Sequence, residues 1–307
     1  MEHDLFDCIV IGAGPAGLSA SLFLARYRRS VLTLHDNQPR NFYSHGVHGF
    51  LGHHGIAPAE LSARGMEEVI AHGGQIVEAR ATKIQKSRDG SFTVTTDREG
   101  KRPYSTRRVL LATGLRDVLP TCGGFREFYG SSIHHCPDCD GYEVSGKRVA
   151  VLGHGDSVIG LTLDLLTWTD KLTLLTDEHS EEMAQDSAGK LAAFNIPIRH
   201  EKVLALEGDV ETRQLQRVRF SSGEALECDA LFFNLGAEPV CRLHEALGCK
   251  TTKDFLWVDK TQQTSVEGIY AAGDITPNSH LAVVAAAEGA MAAIHIHQSL
   301  LPESRRV

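Results

Sequence analysis

Phe6-Asp7-Cys8-Ile9-Val10-Ile11-Gly12-Ala13-Gly14-Pro15-Ala16-Gly17 is the stretch from which the rest of this chain is read. Residues 6 to 12 form a short run rich in β-branched side chains, which predicts a buried strand. The glycines at 12, 14 and 17 then turn the chain into a helix whose apolar positions run Leu18, Leu22, Phe23 and Leu24. A lone G-x-G-x-x-G says little; between a strand and a helix it has a mechanical meaning. Its glycines permit a tight turn and close approach of backbone to a pyrophosphate, and the helix N-terminus supplies an anion seat. A second strand, Val31 to Leu34, ends at His35 and Asp36, giving the length of one βαβ element with Asp36 as the expected ribose ligand.

The plan recurs. Lys147 to Leu152 reads as a strand, Gly153-His154-Gly155 as a turn, then a helix through Leu166 and a strand from Leu172 to Thr176. Each copy continues into hairpins marked by turn dipeptides, Asp89-Gly90 and Glu99-Gly100 in the first, Gly208-Asp209 and Ser222-Gly223 in the second. Each closes on a strand followed by glycine, Val109 to Gly114 and Leu231 to Gly236, and Ile269 to Asp274 offers a third such strand near the end. The expected fold is therefore α/β, with two Rossmann-like dinucleotide-binding domains of three-layer β/β/α type, the second inserted in the first. The boundaries fall near 117 and 240, so residues 1–116 and 241–307 make one domain and 117–240 the other.

Between the two fingerprints stands Cys136-Pro137-Asp138-Cys139-Asp140-Gly141. Two thiols this close can form a disulfide that passes two electrons, and a flavin beside the second cysteine would be their natural partner. Zinc is the competing use of such a pair, but a structural site wants four ligands and there is no second C-x-x-C. Haem attachment would need histidine where Asp140 stands. No metal is expected. Gly273-Asp274 adds a second flavin signature, a glycine where the chain can pass close and a carboxylate able to bind sugar or ribityl hydroxyls. Ser279 is placed to cap a helix over residues 281–296, whose positive end would stabilise the N1 and C2 carbonyl edge of a reduced flavin by about 1 kcal/mol.

Composition removes other classes. The 307 residues are 42% apolar and 23% charged, ordinary for a globular protein with two sizeable cores. A net charge of -8 disfavours nucleic acid. The start, Met-Glu-His-Asp-Leu-Phe-Asp, lacks the basic and apolar regions of a signal peptide. The least polar late segment, Leu281 to Ile296, is interrupted by Glu288 and His295 and is shorter than the ~20 residues that span a bilayer. Seven cysteines, scattered and odd in number, fit a reducing cytoplasm, and the five outside the close pair are assigned no chemistry.

With these residues in hand the chain resembles the low-molecular-weight thioredoxin reductases over essentially its whole length. The marks are Ile11 to Gly17, Ala112-Thr113-Gly114, the Cys136 to Gly141 hexapeptide, the fingerprint soon after it, and Ala272-Gly273-Asp274 followed by Ala286-Ala287-Glu288-Gly289. The resemblance implies FAD held by Gly12, Gly14, Pro15, Ala16, Gly17, Asp36, Arg40, Asn41, Ala112, Thr113, Gly114, Gly273, Asp274, His280, Leu281 and Ala282. It implies a homodimer, a swivelling smaller domain, and a division of labour. Cys139 faces flavin C4a, Cys136 exchanges with a thioredoxin-like or other dithiol or disulfide substrate, and Asp140 moves the proton.

Three departures bear on function. The second fingerprint, with Gly153, Gly155, Asp156 and Ser157, carries Val158 at its third small position, where a branched residue is expected to push helix from strand. The next strand ends Thr176-Asp177-Glu178, where NADPH binders of the family carry a His-Arg-Arg cluster. Two carboxylates there make a phosphate dianion several kcal/mol costlier to admit at an effective dielectric of about 20. NADPH is expected to bind poorly, while NADH, a second dinucleotide or a second flavin fits the surviving seat. His280-Leu281 replaces the family's Arg-Gln, and His45, His48, His53 and His54 form a group expected to alter the flavin pocket or to be solvated. Ferredoxin, oxygen or another flavin then enters as electron partner. The alternatives are a conventional NADPH-dependent thioredoxin reductase and a redox-inert flavin or nucleotide sensor.

Overall fold

The computed structural model describes residues 5–100, 102–179 and 185–305. It divides into two compact units, one of Met1–Phe42, Gly49–Arg116 and Glu238–Val307, the other of Tyr43–His48 and Asp117–Ala237. The second unit thus takes six residues, Tyr43–His48, that the sequence reading left in the first.

In the first unit the strand Leu5–Ile11 is the centre of a seven-stranded sheet. It pairs in parallel with Val31–His35 on one side and Tyr104–Leu111 on the other, Val10 standing opposite Thr33 and Leu110. The strand Tyr104–Leu111 divides its outer edge. Its first half pairs antiparallel with Phe92–Thr96, the start of the hairpin layer, and its second half pairs in parallel with Ile269–Ala271. That late strand brings the C-terminal segment back to the first sheet. Asp89-Gly90 and Glu99-Gly100 lie in the turns between these hairpin strands, as their chemistry requires. The helices Pro15–Arg26 and Ala282–Ser299 lie against one another, and Ala16, Ala20 and Leu24 share a buried cluster with Ala285, Ala292 and Ile296. Small side chains on both helices allow the close approach: a Cβ added to Gly289 would lie 2.0 Å from the Ala16 carbonyl oxygen.

The second unit repeats the arrangement on a smaller scale. Val149–Gly153 is flanked in parallel by Leu172–Leu175 and Ala230–Asn234 in a five-stranded sheet, with a separate three-stranded antiparallel sheet of Val203–Asp209, Gln214–Phe220 and Ala225–Glu227. Gly208-Asp209 ends a strand, and the turn itself comes one residue later. Two cores fill the two faces of the parallel sheet. One, with Phe125, Phe128, Phe220 and Phe233, lies toward the antiparallel sheet, and the other, with Val151, Val158, Leu165 and Phe232, lies toward the helix Gly155–Asp164. Among the described residues no helix is long and apolar enough to cross a membrane.

Val158 does not push helix from strand as its branching suggested. It is fully buried, and the room for it comes from the strand: a Cβ added to Gly153 would lie 2.9 Å from Val158 Cγ2. The same Cβ would lie 2.5 Å from the Asn234 carbonyl oxygen, so the neighbouring strand also keeps this position glycine. The late helix also differs from expectation. It runs Ala282–Ser299 with Leu281 as its N-cap, and no side chain caps it; Ser279 contributes only its carbonyl, to the Leu281 N–H.

Candidate active site

The cysteine pair sits on a single turn of helix, Pro137–Asp140, in the second unit. Cys136 is the N-cap and its sulfur accepts from the Cys139 N–H at 3.2 Å, while Pro137 occupies the first helical position where a missing N–H costs nothing. The two cysteines form a disulfide with Cα atoms 5.3 Å apart, within the ordinary span of such bonds. Gly141 ends the turn against an indole, since a Cβ there would fall 2.6 Å from Trp168 Cε3. The sequence C-P-D-C-D-G is therefore a rigid presentation of two sulfurs, capped by one of them.

Around the pair lie groups from three other segments of the same unit. Asp140 Oδ2 is 3.4 Å from His134 Nδ1, and its Oδ1 is 3.5 Å from His48 Nδ1. His48 Nδ1 also lies 3.1 Å from the Cys139 carbonyl oxygen and 3.7 Å from Glu143 Oε1. His135 Nε2 is 3.8 Å from Asp117 Oδ2. Burial alone would push the Asp140 carboxyl up. The hydrogen bond from His134 and the charges of His134, His48 and His135 together outweigh it and hold Asp140 below the usual carboxylate range.

His48 reaches this place because the Tyr43–His48 segment is tied to the unit upstream of the pair. The Tyr43 ring packs on Tyr129 with centroids 5.3 Å apart, the His45 N–H donates to the Gly130 carbonyl, and Gly130, at φ +82°, lets the Tyr43 carbonyl pass where a Cβ would be only 2.0 Å away. His48 joins the redox pair, His45 contributes backbone, and His53 packs edge-on to Phe50 in the first unit. No three His, Cys, Asp or Glu among the described residues are placed to hold a metal.

Cys8, Cys122, Cys228 and Cys249 are poor nucleophiles. Burial pushes Cys122 up to about 11 and Cys228 up to about 12, and raises Cys8 and Cys249 as well.

In the first unit the expected FAD residues have the following geometry. Gly12, at φ +113°, would place a Cβ 2.1 Å from the Ala112 carbonyl oxygen, and Gly17 would place one 1.8 Å from the Gly12 carbonyl oxygen. Gly14 caps the helix Pro15–Arg26 with no side-chain acceptor, and the space beside its Cα is open. Thr113 and Gly114 follow the strand end, with Gly114 at φ +65°. Asp36 accepts from the Gln38 N–H and meets the Arg80 guanidinium at 3.2 Å, with Asn41 close after it in the same loop region. Asp274 pairs with Arg40 at 2.9 Å, which joins two expected ligands of the same cofactor.

Sequence reasoning met Glu288 as an interruption of an apolar run and as part of a family mark, and gave it no role of its own. It is a buried carboxylate that accepts from the Gly273 N–H at 2.7 Å, the Thr276 hydroxyl at 2.9 Å and the Asn278 amide, so it closes the loop after the Gly273-Asp274 turn. His280 packs on Phe255, and its buried Nε2 has no hydrogen-bond partner among the described residues.

Residues 6–289 match the pyridine nucleotide-disulphide oxidoreductases. The chain belongs to that family. It is 31% identical over 311 residues to a thioredoxin reductase of Treponema pallidum, covering 95% of this chain and 96% of that one. Among solved structures it is similar to HlmI, with 34% identity, a TM-score of 0.90 and coverage of 96% and 92%. It is also similar to an oxidoreductase of Agrobacterium tumefaciens, with 31% identity, a TM-score of 0.86 and coverage of 97% and 99%. The protein is a flavoprotein oxidoreductase acting on sulfur groups.

The family implies FAD, and the first unit fits it. The bare helix N-terminus at Gly14, the open face of that glycine and the orphaned Nε2 of His280 are features that a bound dinucleotide would complete.

The second fingerprint fits a nucleotide less well. Gly155 is at φ +70° with open space beside it, and His154 caps the helix Gly155–Asp164 with no side-chain bond, so a seat remains beside Asp156 and Ser157. The His154 ring lies against His179 with centroids 5.0 Å apart. Asp177, at φ +47°, spends its carboxylate on the Val203 N–H at 2.7 Å. Arg199, in register with Leu175 on the next strand, is held by Glu201 and Glu224.

Proposed function

We propose that the protein moves an electron pair between FAD, the Cys136–Cys139 disulfide and an external protein dithiol or disulfide, and that NADPH is not its electron source. The observation that carries this reading is the disagreement between the two nucleotide seats of one chain. The first keeps bare N–H groups, close-packed glycines and the Arg40–Asp274 pair. The second has Asp177 and Glu178 where a 2′-phosphate would need cations, and its neighbouring guanidinium, Arg199, is already neutralised by two carboxylates.

FAD, held along Gly12–Gly17, Asp36, Arg40, Asn41, Ala112–Gly114 and Gly273–Ala282, would supply or accept the electron pair. The chain does the rest. Reduction breaks the S–S bond, two electrons enter, and up to two protons arrive to leave Cys136 and Cys139 as thiols. The rigid turn keeps the sulfurs in reach of each other, so the reverse step needs little reorganisation. A thioredoxin-like protein is the partner that the names of several relatives favour, and this chain is read as working as a homodimer in the cytoplasm. Ferredoxin, oxygen or another flavin are the electron partners that the acidic second seat leaves in place of NADPH, and a second dinucleotide or flavin is the occupant that its surviving geometry suits.

Anaerobic titration of the purified holoprotein tests this. The flavin should bleach with dithionite and with a reduced dithiol protein and stay oxidised with stoichiometric NADPH. Rapid bleaching by NADPH would establish the conventional reductase instead. A redox-inert sensor predicts that Cys136→Ser and Cys139→Ser leave every output unchanged, whereas the reading above predicts loss of dithiol turnover in both.

A further inference from the structure

Three carboxylates flank the redox pair within one unit, and two of them are not committed to the fold. Asp138 stands between the two cysteines, is exposed, and makes no ion pair or hydrogen bond among the described residues. Asp140 is the committed one, held ionised by His134, His48 and His135. Glu143 meets His48 Nδ1 through Oε1 at 3.7 Å, while its Oε2 is shut from water and has no hydrogen-bond partner among the described residues. A carboxylate oxygen so placed lacks a donor to offset its lost hydration. The side chain as a whole is 33% exposed, so an incoming chain can reach it. Against these acids, residues 43–48 and 127–146, which surround the pair, contain no lysine or arginine.

We propose that Asp138 and Glu143 select the thiol partner by charge: the segment that meets Cys136 and Cys139 carries lysine or arginine beside its own cysteines, and anionic dithiols are rejected. This rests on the reading of the two cysteines as a cycling couple and names the chemistry of its partner. In the exchange a partner thiolate attacks one sulfur of the pair and the S–S bond breaks, giving a mixed disulfide and a cysteine thiolate. The partner's second thiol then displaces the other sulfur, so two electrons and two protons pass from the partner to Cys136 and Cys139. The attacking group is itself an anion approaching past two uncommitted carboxylates. Basic side chains beside it offset that repulsion and bring Glu143 Oε2 its missing donor, whereas acidic ones add to the repulsion.

The test is the rate at which the disulfide of the oxidised holoprotein opens under two synthetic peptides, Lys-Cys-Gly-Gly-Cys-Lys and Glu-Cys-Gly-Gly-Cys-Glu, in mild alkali. Opening is read as iodoacetamide uptake at Cys136 and Cys139 by peptide mass. Each rate is divided by the same peptide's rate with hydroxyethyl disulfide, which removes the effect of the flanking residues on the peptide's own thiols. The lysine peptide should be faster by about tenfold at low salt, and the gap should shrink to about twofold in strong salt. Asp138→Asn combined with Glu143→Gln should bring the two normalised rates within about twofold at low salt, with each single variant in between. A merely structural role would slow both peptides and keep their ratio. Equal normalised rates in wild type would overturn the proposal, and so would a ratio that survives the double substitution or is indifferent to salt. Opening by dithiothreitol but by neither peptide would overturn it too. A disulfide that stays closed to both peptides and to dithiothreitol would instead strike the cycling couple itself, a distinct failure read from the same spectra.

Discussion

The two dinucleotide fingerprints share one steric demand and differ in another. Each has a glycine at the strand end where a Cβ would meet a neighbouring strand's carbonyl oxygen, 2.1 Å from Ala112 at Gly12 and 2.5 Å from Asn234 at Gly153. On the helix side the first has Gly17, where a Cβ would be 1.8 Å from the Gly12 carbonyl oxygen, and the second carries the buried Val158, against Gly153. Both keep strand and helix in contact, yet they differ in what is left for a ligand. The first leaves Asp36 half-exposed beside Arg80; the second turns its corresponding acid, Asp177, onto the Val203 amide. The acid after the second strand thus has different partners in the two copies of one strand-turn-helix plan. Shape is held by van der Waals contact and ligand choice by a few polar atoms, so the two can change separately.

The largest effect that would break this contrast comes from methyl groups added to the glycines. Gly12→Ala should cost several kcal/mol, since it combines a positive φ with a backbone collision. The protein should lose visible flavin absorbance per polypeptide, or fail to accumulate. Gly155→Ala, at φ +70° with open space around it, should cost about 1 kcal/mol and leave the flavin spectrum intact. Equal losses in the two variants would mean that the seats are not different in kind.

Next in size is Glu288→Gln. Its carboxylate serves three donors on the Gly273–Asn278 loop, and replacing one oxygen by an amide puts donor against donor in a buried place. A loss of about 2 kcal/mol in thermal unfolding is expected, together with weaker retention of flavin on dilution. An unchanged flavin affinity would separate this carboxylate from the first seat.

Asp140→Asn sharpens the comparison at the redox pair. The native carboxyl is held below its ordinary range, so its contribution is present above the unfolded-state value and is lost as pH falls through the lower folded value. The stability gap between wild type and variant should be full at neutral pH and close in acid, measured by denaturant midpoints across pH. A gap that widens toward acid would reverse the sign. The smallest effect is expected from Asp177→Asn. It weakens one charge-assisted bond to a backbone N–H and should cost about 1 kcal/mol, with no gain of NADPH reduction. A gain would show that the carboxylate's charge alone excludes the phosphate.

How much of this could be read beforehand varies with sequence distance. The glycines, the cysteine turn and the alternation of strands and helices were legible, because each is a steric requirement met within a few residues. His134 and His135 stand just before Cys136 in the sequence, and only the structure shows which carboxylates they meet. His48 gave no such signal: it stands 91 residues from Cys139, and its group of four histidines was read as altering the flavin pocket or as solvated. Val158 was read as damage because the compensating Gly153 was counted as a turn residue only. Ser279 looked like a cap, but the helix begins past it with Leu281.

From its residues alone this protein was bound to be a doubled α/β chain with a two-cysteine turn, since backbone sterics over five or six residues admit few other outcomes. The neighbours of each charge came from the folded chain. Asp177 meets the amide of Val203, Arg40 meets Asp274, and Asp140 is flanked by His134 and His48 because folding brings separate segments side by side. The strength and role of a polar group depend on those neighbours and on its burial, and both are properties of the packed molecule.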